Sequence, residues 1–195
     1  IGGLWGDYPM DGCLRRSRIE HWRICEDGQY GDSYNSLTAV FECPEWYFFE
    51  RMTQDKSGIA SDDYYRHWVK EIEGVKMPET FPLSHMLVAK TLAPLIPQGS
   101  ILHFGILNAL RCWEMFPLDP TIRCYSNVAG FGIDGGLSTF IGHSLVTDRL
   151  CFMIIGDLSF FYDMNVIGNR HIRNNVRIVL VNNGGGGEFR LKTHT

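Results

Sequence analysis

Two largely apolar runs, at 150–155 and 176–181, each stop abruptly on a polar corner, Gly156-Asp157 and Asn182-Asn183. A strand with one wet face alternates apolar and polar residues, so short runs without that alternation are expected to be covered on both faces. Similar runs at 100–104 and near 122–125 precede them, with helical stretches between (83–95, about 108–116, about 135–145, and from the Gly156-Asp157 corner to about 169). Strands alternating with helices predict an α/β fold: a doubly wound, mostly parallel sheet with helices on both faces.

The earlier part of the chain reads differently. Short runs at 21–25 and 37–41 flank the turn former Glu26-Asp27-Gly28 and predict two strands. Pro44 opens an aromatic-rich helix from 45 to about 52, and Asp62 is placed to cap a second helix reaching about 73, with Tyr65, Trp68, Val69 and Ile72 on one face. The stretch 74–82, with Pro78 and Pro82, reads as a linker. The expected organisation is therefore residues 1–80 as the C-terminal part of a central α/β domain plus linker, and 81–195 as a second domain truncated at its C-terminal end. Trp46, Tyr47, Phe48 and Phe49 are expected to fill a domain interface. The chain begins on Ile1 without a secretory pattern, which reads as a piece of a longer polypeptide.

Charge and cysteine usage narrow the partners. Residues 1–80 carry net −6 and residues 81–195 net +2, for a total of −4. Such a balance argues against a nucleic-acid binder, while a mildly cationic second half suits an anionic ligand. No apolar run approaches the roughly 18 residues of a membrane helix. The six cysteines are scattered with no C-x-x-C pair, so zinc ribbons and redox dithiols are not expected. Buried free thiols in a reducing cytoplasm are the plain reading. The histidines show no metal or triad spacing and are expected to be surface or structural. His171, Arg173 and Arg177 read as a solvated face. The Gly184–Gly187 run lacks the Gly-Lys-Ser/Thr of a phosphate loop.

Ligands of open α/β sheets sit beyond the carboxyl ends of strands. At Gly156-Asp157-Leu158-Ser159 a buried strand delivers a carboxylate to the sheet edge and a helix follows at once, whose free amides can receive phosphate oxygens. A phosphate beside an aspartate requires a cation between them, and Mg²⁺ is held by one or two carboxylates plus phosphates. Asn183 can supply an amide oxygen one strand over, and Gly185 a carbonyl. The spacing of 26 between Asp157 and Asn183, with one helix between two strand ends, makes the pair specific.

This pattern closely resembles the cofactor motif of thiamine diphosphate-dependent enzymes, and within them the SEPHCHC synthase family of menaquinone-pathway carboligases. The resemblance rests on Tyr125-Ser126-Asn127, Gly132-Ile133-Asp134-Gly135, Leu137-Ser138-Thr139, Gly156-Asp157-Leu158-Ser159, Tyr162-Asp163-Met164-Asn165 and Val181-Asn182-Asn183-Gly184-Gly185, over about residues 83–191. It implies that Asp157, Asn183 and the Gly185 carbonyl bind Mg²⁺, with Gly156, Leu158 and Ser159 against the diphosphate. Ile133 would be the apolar wedge that bends the cofactor, the backbone near Phe131 and Gly132 would face the aminopyrimidine, and Asn108 would approach the diphosphate.

Further implications are a 2-oxo acid substrate, a separate pyrimidine-binding domain in the same or a neighbouring subunit that supplies the catalytic glutamate, and a homodimer or tetramer. No catalytic residue is assigned within this chain, which is expected to be inactive alone. Val128 stands where the family carries an arginine for substrate carboxylates, and the Asp-to-Asn spacing is about one residue shorter; the cofactor inference survives both departures, whereas the substrate does not follow. The alternative is a non-catalytic cofactor- or nucleotide-binding domain.

Overall fold

A computed structural model describes residues 8–54, 61–128 and 132–190. The chain divides into two compact units, Ile1–Lys76 and Met77–Thr195. The first contains α1 (Tyr8–Arg16), β1 (His21–Cys25), β2 (Leu37–Glu42), α2 (Glu45–Gln54) and α3 (Asp63–Gly74). β1 and β2 pair in parallel, with Ile24 opposite Phe41. Trp22, Phe41 and Phe48 form an aromatic cluster over this ribbon, with centroids 4.8–6.3 Å apart. Phe48 therefore packs within its own unit, whereas Trp46 is largely exposed. α1 had no counterpart in the sequence reading, because Pro9 and Gly12 interrupt any apolar periodicity there. Asp62 precedes α3 as expected, but its side chain makes no capping bond.

The second unit follows the predicted alternation. Its elements are α4 (His85–Leu92), continued by a 3₁₀ turn at Ala93–Leu95, β3 (Ile101–Phe104), α5 (Asn108–Trp113), β4 (Arg123–Ser126), α6 (Gly136–Leu145), β5 (Cys151–Gly156), α7 (Asp157–Asp163), continued by a 3₁₀ turn at Met164–Gly168, and β6 (Val176–Val181). Among the described residues its strands are all parallel, in the order β4-β3-β5-β6. Ser84 starts α4 by accepting the Leu87 amide at 3.3 Å. Pro94 then ends regular helix by removing a donor.

Successive residues of β3 and β5 point to opposite faces, and each face has its own core. On one side Leu102, Phe104 and Ile154 pack with Ala89, Ala109 and Trp113 of α4 and α5. On the other, Ile101, Cys151, Met153 and Ile155 pack with Leu137, Phe140 and Ile141 of α6. This two-sided burial is why β3 and β5 do not alternate, and it confirms the doubly wound reading; β6 departs from the expectation, since Arg177 and Leu180 are exposed there. Each fully buried large side chain contributes about 1.5–3 kcal/mol.

The amino-terminal ends of the strands are tied by Arg149, whose guanidinium donates to the carbonyls of Gly99, Ser100 (3.2 Å) and Thr121 (3.0 Å). Asn175 does similar work nearby, its Nδ2 donating to Ser144, Thr147 and Arg149 carbonyls at 3.0–3.1 Å. All six cysteines are free. Only Cys151 is fully buried, however, and Cys13 and Cys124 are exposed, which corrects the expectation of buried thiols. Cys124 lies on β4, an edge strand covered on one side only by β3.

Candidate functional site

β3 and β5 lie side by side, but the chain leaves β3 toward β4 and β5 toward β6. Loops that diverge in this way open a crevice beyond the carboxyl ends of the two strands. Gly105 closes β3 against β5: its amide donates to the Ile154 carbonyl at 2.7 Å, and a Cβ there would sit 3.4–3.5 Å from Ile154 and Ile155.

Asp157 is the first residue of α7 and is 6% exposed. Its Oδ1 accepts the Leu158 amide at 2.7 Å and its Oδ2 accepts the Gly185 amide at 2.9 Å. The second bond joins two strand tips, since Gly156 pairs with Val181 in register. Among the described residues no basic side chain forms an ion pair with Asp157. Two backbone amides, that of Leu158 at the start of the helix and that of Gly185, are thus the carboxylate's only hydrogen-bond partners among the described residues. Its titratable neighbour is His85, which is buried and whose Nδ1 lacks a partner among the described residues. Burial lowers the His85 pKa, and the charge of Asp157 opposes that shift.

Gly184 and Gly185 have φ of 75° and 144°, conformations that only glycine adopts readily. Gly184 also donates its amide to Asn182 Oδ1 at 3.0 Å, and Arg190 Nη2 reaches the Gly184 carbonyl at 3.4 Å. Asn183 is exposed, and among the described residues no hydrogen bond joins it to Asp157. Its Nδ2 lies 3.4 Å from where a Cβ on Gly187 would stand, and Asn108 Nδ2 lies 3.2 Å from the same point. The first and last strand-end loops of the crevice thus meet at Gly187.

Asn108 is brought there by Leu107, whose φ of 68° and ψ of −121° are strained for a side chain with a Cβ. Ile133 is half-buried, and its carbonyl accepts the Ser159 hydroxyl at 2.6 Å. Gly132 has the Asp134 carboxylate where a Cβ would stand. Phe131 lies outside the described residues. Val128 is exposed.

The donor chemistry can be tested against a cation. Among the described residues no three or more His, Cys, Asp or Glu side chains gather, so the site does not offer a transition-metal set. One buried carboxylate at the edge of a backbone loop offers hard oxygen donors, the kind that Mg²⁺ takes. Sequence reasoning overlooked Leu107 and His85, and it carried Asp163 within a motif without giving it a role. Strain at Leu107 has no sequence signature, and the partners of the other two are distant in the chain.

Fold and crevice together define the class: a doubly wound parallel α/β domain of the kind found in thiamine diphosphate-dependent enzymes. No family profile matches the chain. Its curated relatives include 2-succinyl-5-enolpyruvyl-6-hydroxy-3-cyclohexene-1-carboxylate synthase of Bacteroides thetaiotaomicron, 37% identical over 170 residues, covering 87% of this chain and 30% of that protein. The synthase of the same name from Desulfotalea psychrophila is 36% identical, with the same coverage of both. That of Flavobacterium psychrophilum is 33% identical over 198 residues, or 98% of this chain and 36% of the relative. The chain belongs to this synthase family and spans about a third of the length of the relatives it matches.

Proposed function

We propose that this chain forms the diphosphate- and Mg²⁺-binding part of a thiamine diphosphate-dependent 2-oxo acid decarboxylase/carboligase, SEPHCHC synthase-like or acetolactate synthase-like. The observation that carries the reading is Asp157: a buried carboxylate, without an ionic partner among the described residues, held by the Gly185 amide where the strand loops diverge. In this reading Asp157, Asn183 and the Gly185 carbonyl hold Mg²⁺. Gly156, Leu158, Ser159 and Asn108 line the diphosphate, while Ile133, Phe131 and Gly132 seat the rings. The cofactor, when bound, supplies the nucleophilic centre that attacks the 2-oxo acid and takes up the charge left by departing CO₂. The residues of this chain bind and orient it, and the cation offsets the repulsion between Asp157 and phosphate.

Residues 1–80 are assigned to a central domain and 81–195 to the cofactor domain. A pyrimidine-binding domain, in the same or a neighbouring subunit of a cytoplasmic dimer or tetramer, completes the site with its glutamate. The chain alone is then inactive. Among the described residues no helix is long and apolar enough to cross a membrane.

Titration calorimetry on the chain, with thiamine diphosphate competing against ATP in the presence and absence of Mg²⁺, tests the reading. The expected result is Mg²⁺-dependent binding that favours thiamine diphosphate and is lost in Asp157→Asn. Metal-independent preference for ATP would overturn it in favour of a nucleotide-binding domain.

A further inference from the structure

α7 reaches two separate stretches of the chain, the loop after β6 at Gly185 and the segment 133–138. Its first residue, Asp157, takes the Gly185 amide. Its third, Ser159, donates its hydroxyl to the Ile133 carbonyl at 2.6 Å. Its last, Asp163, accepts the Ser138 amide at 2.6 Å on one oxygen and the Ser138 hydroxyl at 2.5 Å on the other. Ser159 and Asp163 are four residues apart and therefore share one face of the helix. Gly135, the residue before α6, has no side chain to satisfy the first free amides of that helix. Asp163 supplies that cap from the neighbouring helix, as an N-cap side chain would have done locally.

We propose that Ser159 and Asp163 are positioning residues: from one face of α7 they grip the segment 133–138, so that the helix presenting Asp157 also sets where Ile133 stands. The proposal deepens the cofactor reading and rests on it. The Ser159 hydroxyl is committed to Ile133, which leaves its backbone amide as the group that could meet an anion. A cation at Asp157 and a ring system on Ile133 would then be registered to each other through one rigid turn of helix rather than through a long loop. Preorganisation of that kind raises affinity by removing the cost of ordering the seat on binding.

The test uses the whole chain and two ligands. Hydrogen exchange is measured at the amides of 133–138, together with calorimetric binding of Mg²⁺-thiamine diphosphate and of Mg²⁺ with inorganic pyrophosphate. Loss of one such hydrogen bond predicts about tenfold faster exchange in Ser159→Ala and at least that in Asp163→Asn, with the amides of β5 unaffected. Ser159→Thr, which keeps the hydroxyl, restores the slow exchange. In Asp163→Asn the affinity for Mg²⁺-thiamine diphosphate falls about tenfold, while that for pyrophosphate, which lacks the rings that Ile133 would seat, is retained. Unchanged exchange would overturn the proposal, as would an equal fall for both ligands, the mark of a merely structural role. A wild-type chain that binds Mg²⁺-pyrophosphate with no gain from the thiamine rings would instead sink the parent reading and the positioning role with it. The exchange data would still report the grip itself, so the two failures are distinguishable.

Discussion

His103 and Leu107, four residues apart, hold unfavourable states for opposite reasons. His103 is buried on β3, with Nε2 3.0 Å from His143 Nδ1 and its ring stacked on Tyr125 at 5.2 Å. Burial, and next the neighbouring His143, push its pKa down from the ordinary 6.5 to about 4. Unfolded, the imidazole takes a proton below 6.5; folded, it refuses one until about 4. Its stabilising effect is thus complete above pH 6.5 and is lost as pH falls through that window, with no further loss below about 4. Urea unfolding between pH 7.5 and 4.5 is expected to show this decline in the wild type and a flatter profile in His103→Gln. Parallel profiles would contradict it. Leu107 carries backbone strain of about 1–3 kcal/mol. Leu107→Gly relieves it, offset in part by the added freedom of the unfolded chain. The variant should be as stable as the wild type, or up to about 1 kcal/mol more stable in denaturant titrations, whereas glycine in an unstrained position costs about that much.

Among elements, α6 shows how much of the fold was legible in advance. Its position follows from the glycine-rich corner before it and the apolar run after it. Its burial follows from Leu137, Phe140 and Ile141 recurring at helical spacing. Phe140→Ala should cost about 3–5 kcal/mol in chemical denaturation, because the residue is wholly enclosed between helix and sheet. A loss below about 1 kcal/mol would mean that this face is not close-packed. What stayed illegible was pairing across distance. The strands β1 and β2 could be placed, but not their parallel direction, which depends on the path of residues 26–36 between them. Asp157 and Gly185 stood out by residue type, and their atoms lie 2.9 Å apart. The role of Asp163 could not be read, since the helix that it caps lies 25 residues away. The missing side-chain cap at Asp62 is a failure of another kind, where a favourable residue type was present but its bond was not made.

Across the whole molecule the two units differ in how much sheet they contain. A four-stranded sheet with a core on each face can stand by itself, whereas a two-stranded ribbon is marginal in water. The first unit also leaves a concavity of about 700 Å³ beside β1, bordered by Tyr34, Trp46 and Phe49, and Tyr64, Tyr65 and Ile72 of α3 are largely exposed. Expressed separately, residues 77–195 are expected to unfold in a single cooperative thermal transition by circular dichroism, and residues 1–76 to show none. A sharp transition in the shorter piece would refute this.

The second unit has a further asymmetry, in Arg149. One guanidinium fastens three carbonyls at the foot of the sheet, at the opposite end from the crevice. With the base secured in this way, the rim is free to change its residues without unseating the strands. A lineage could therefore exchange one loop chemistry for another at Val128 or Asn183 and still inherit the same scaffold.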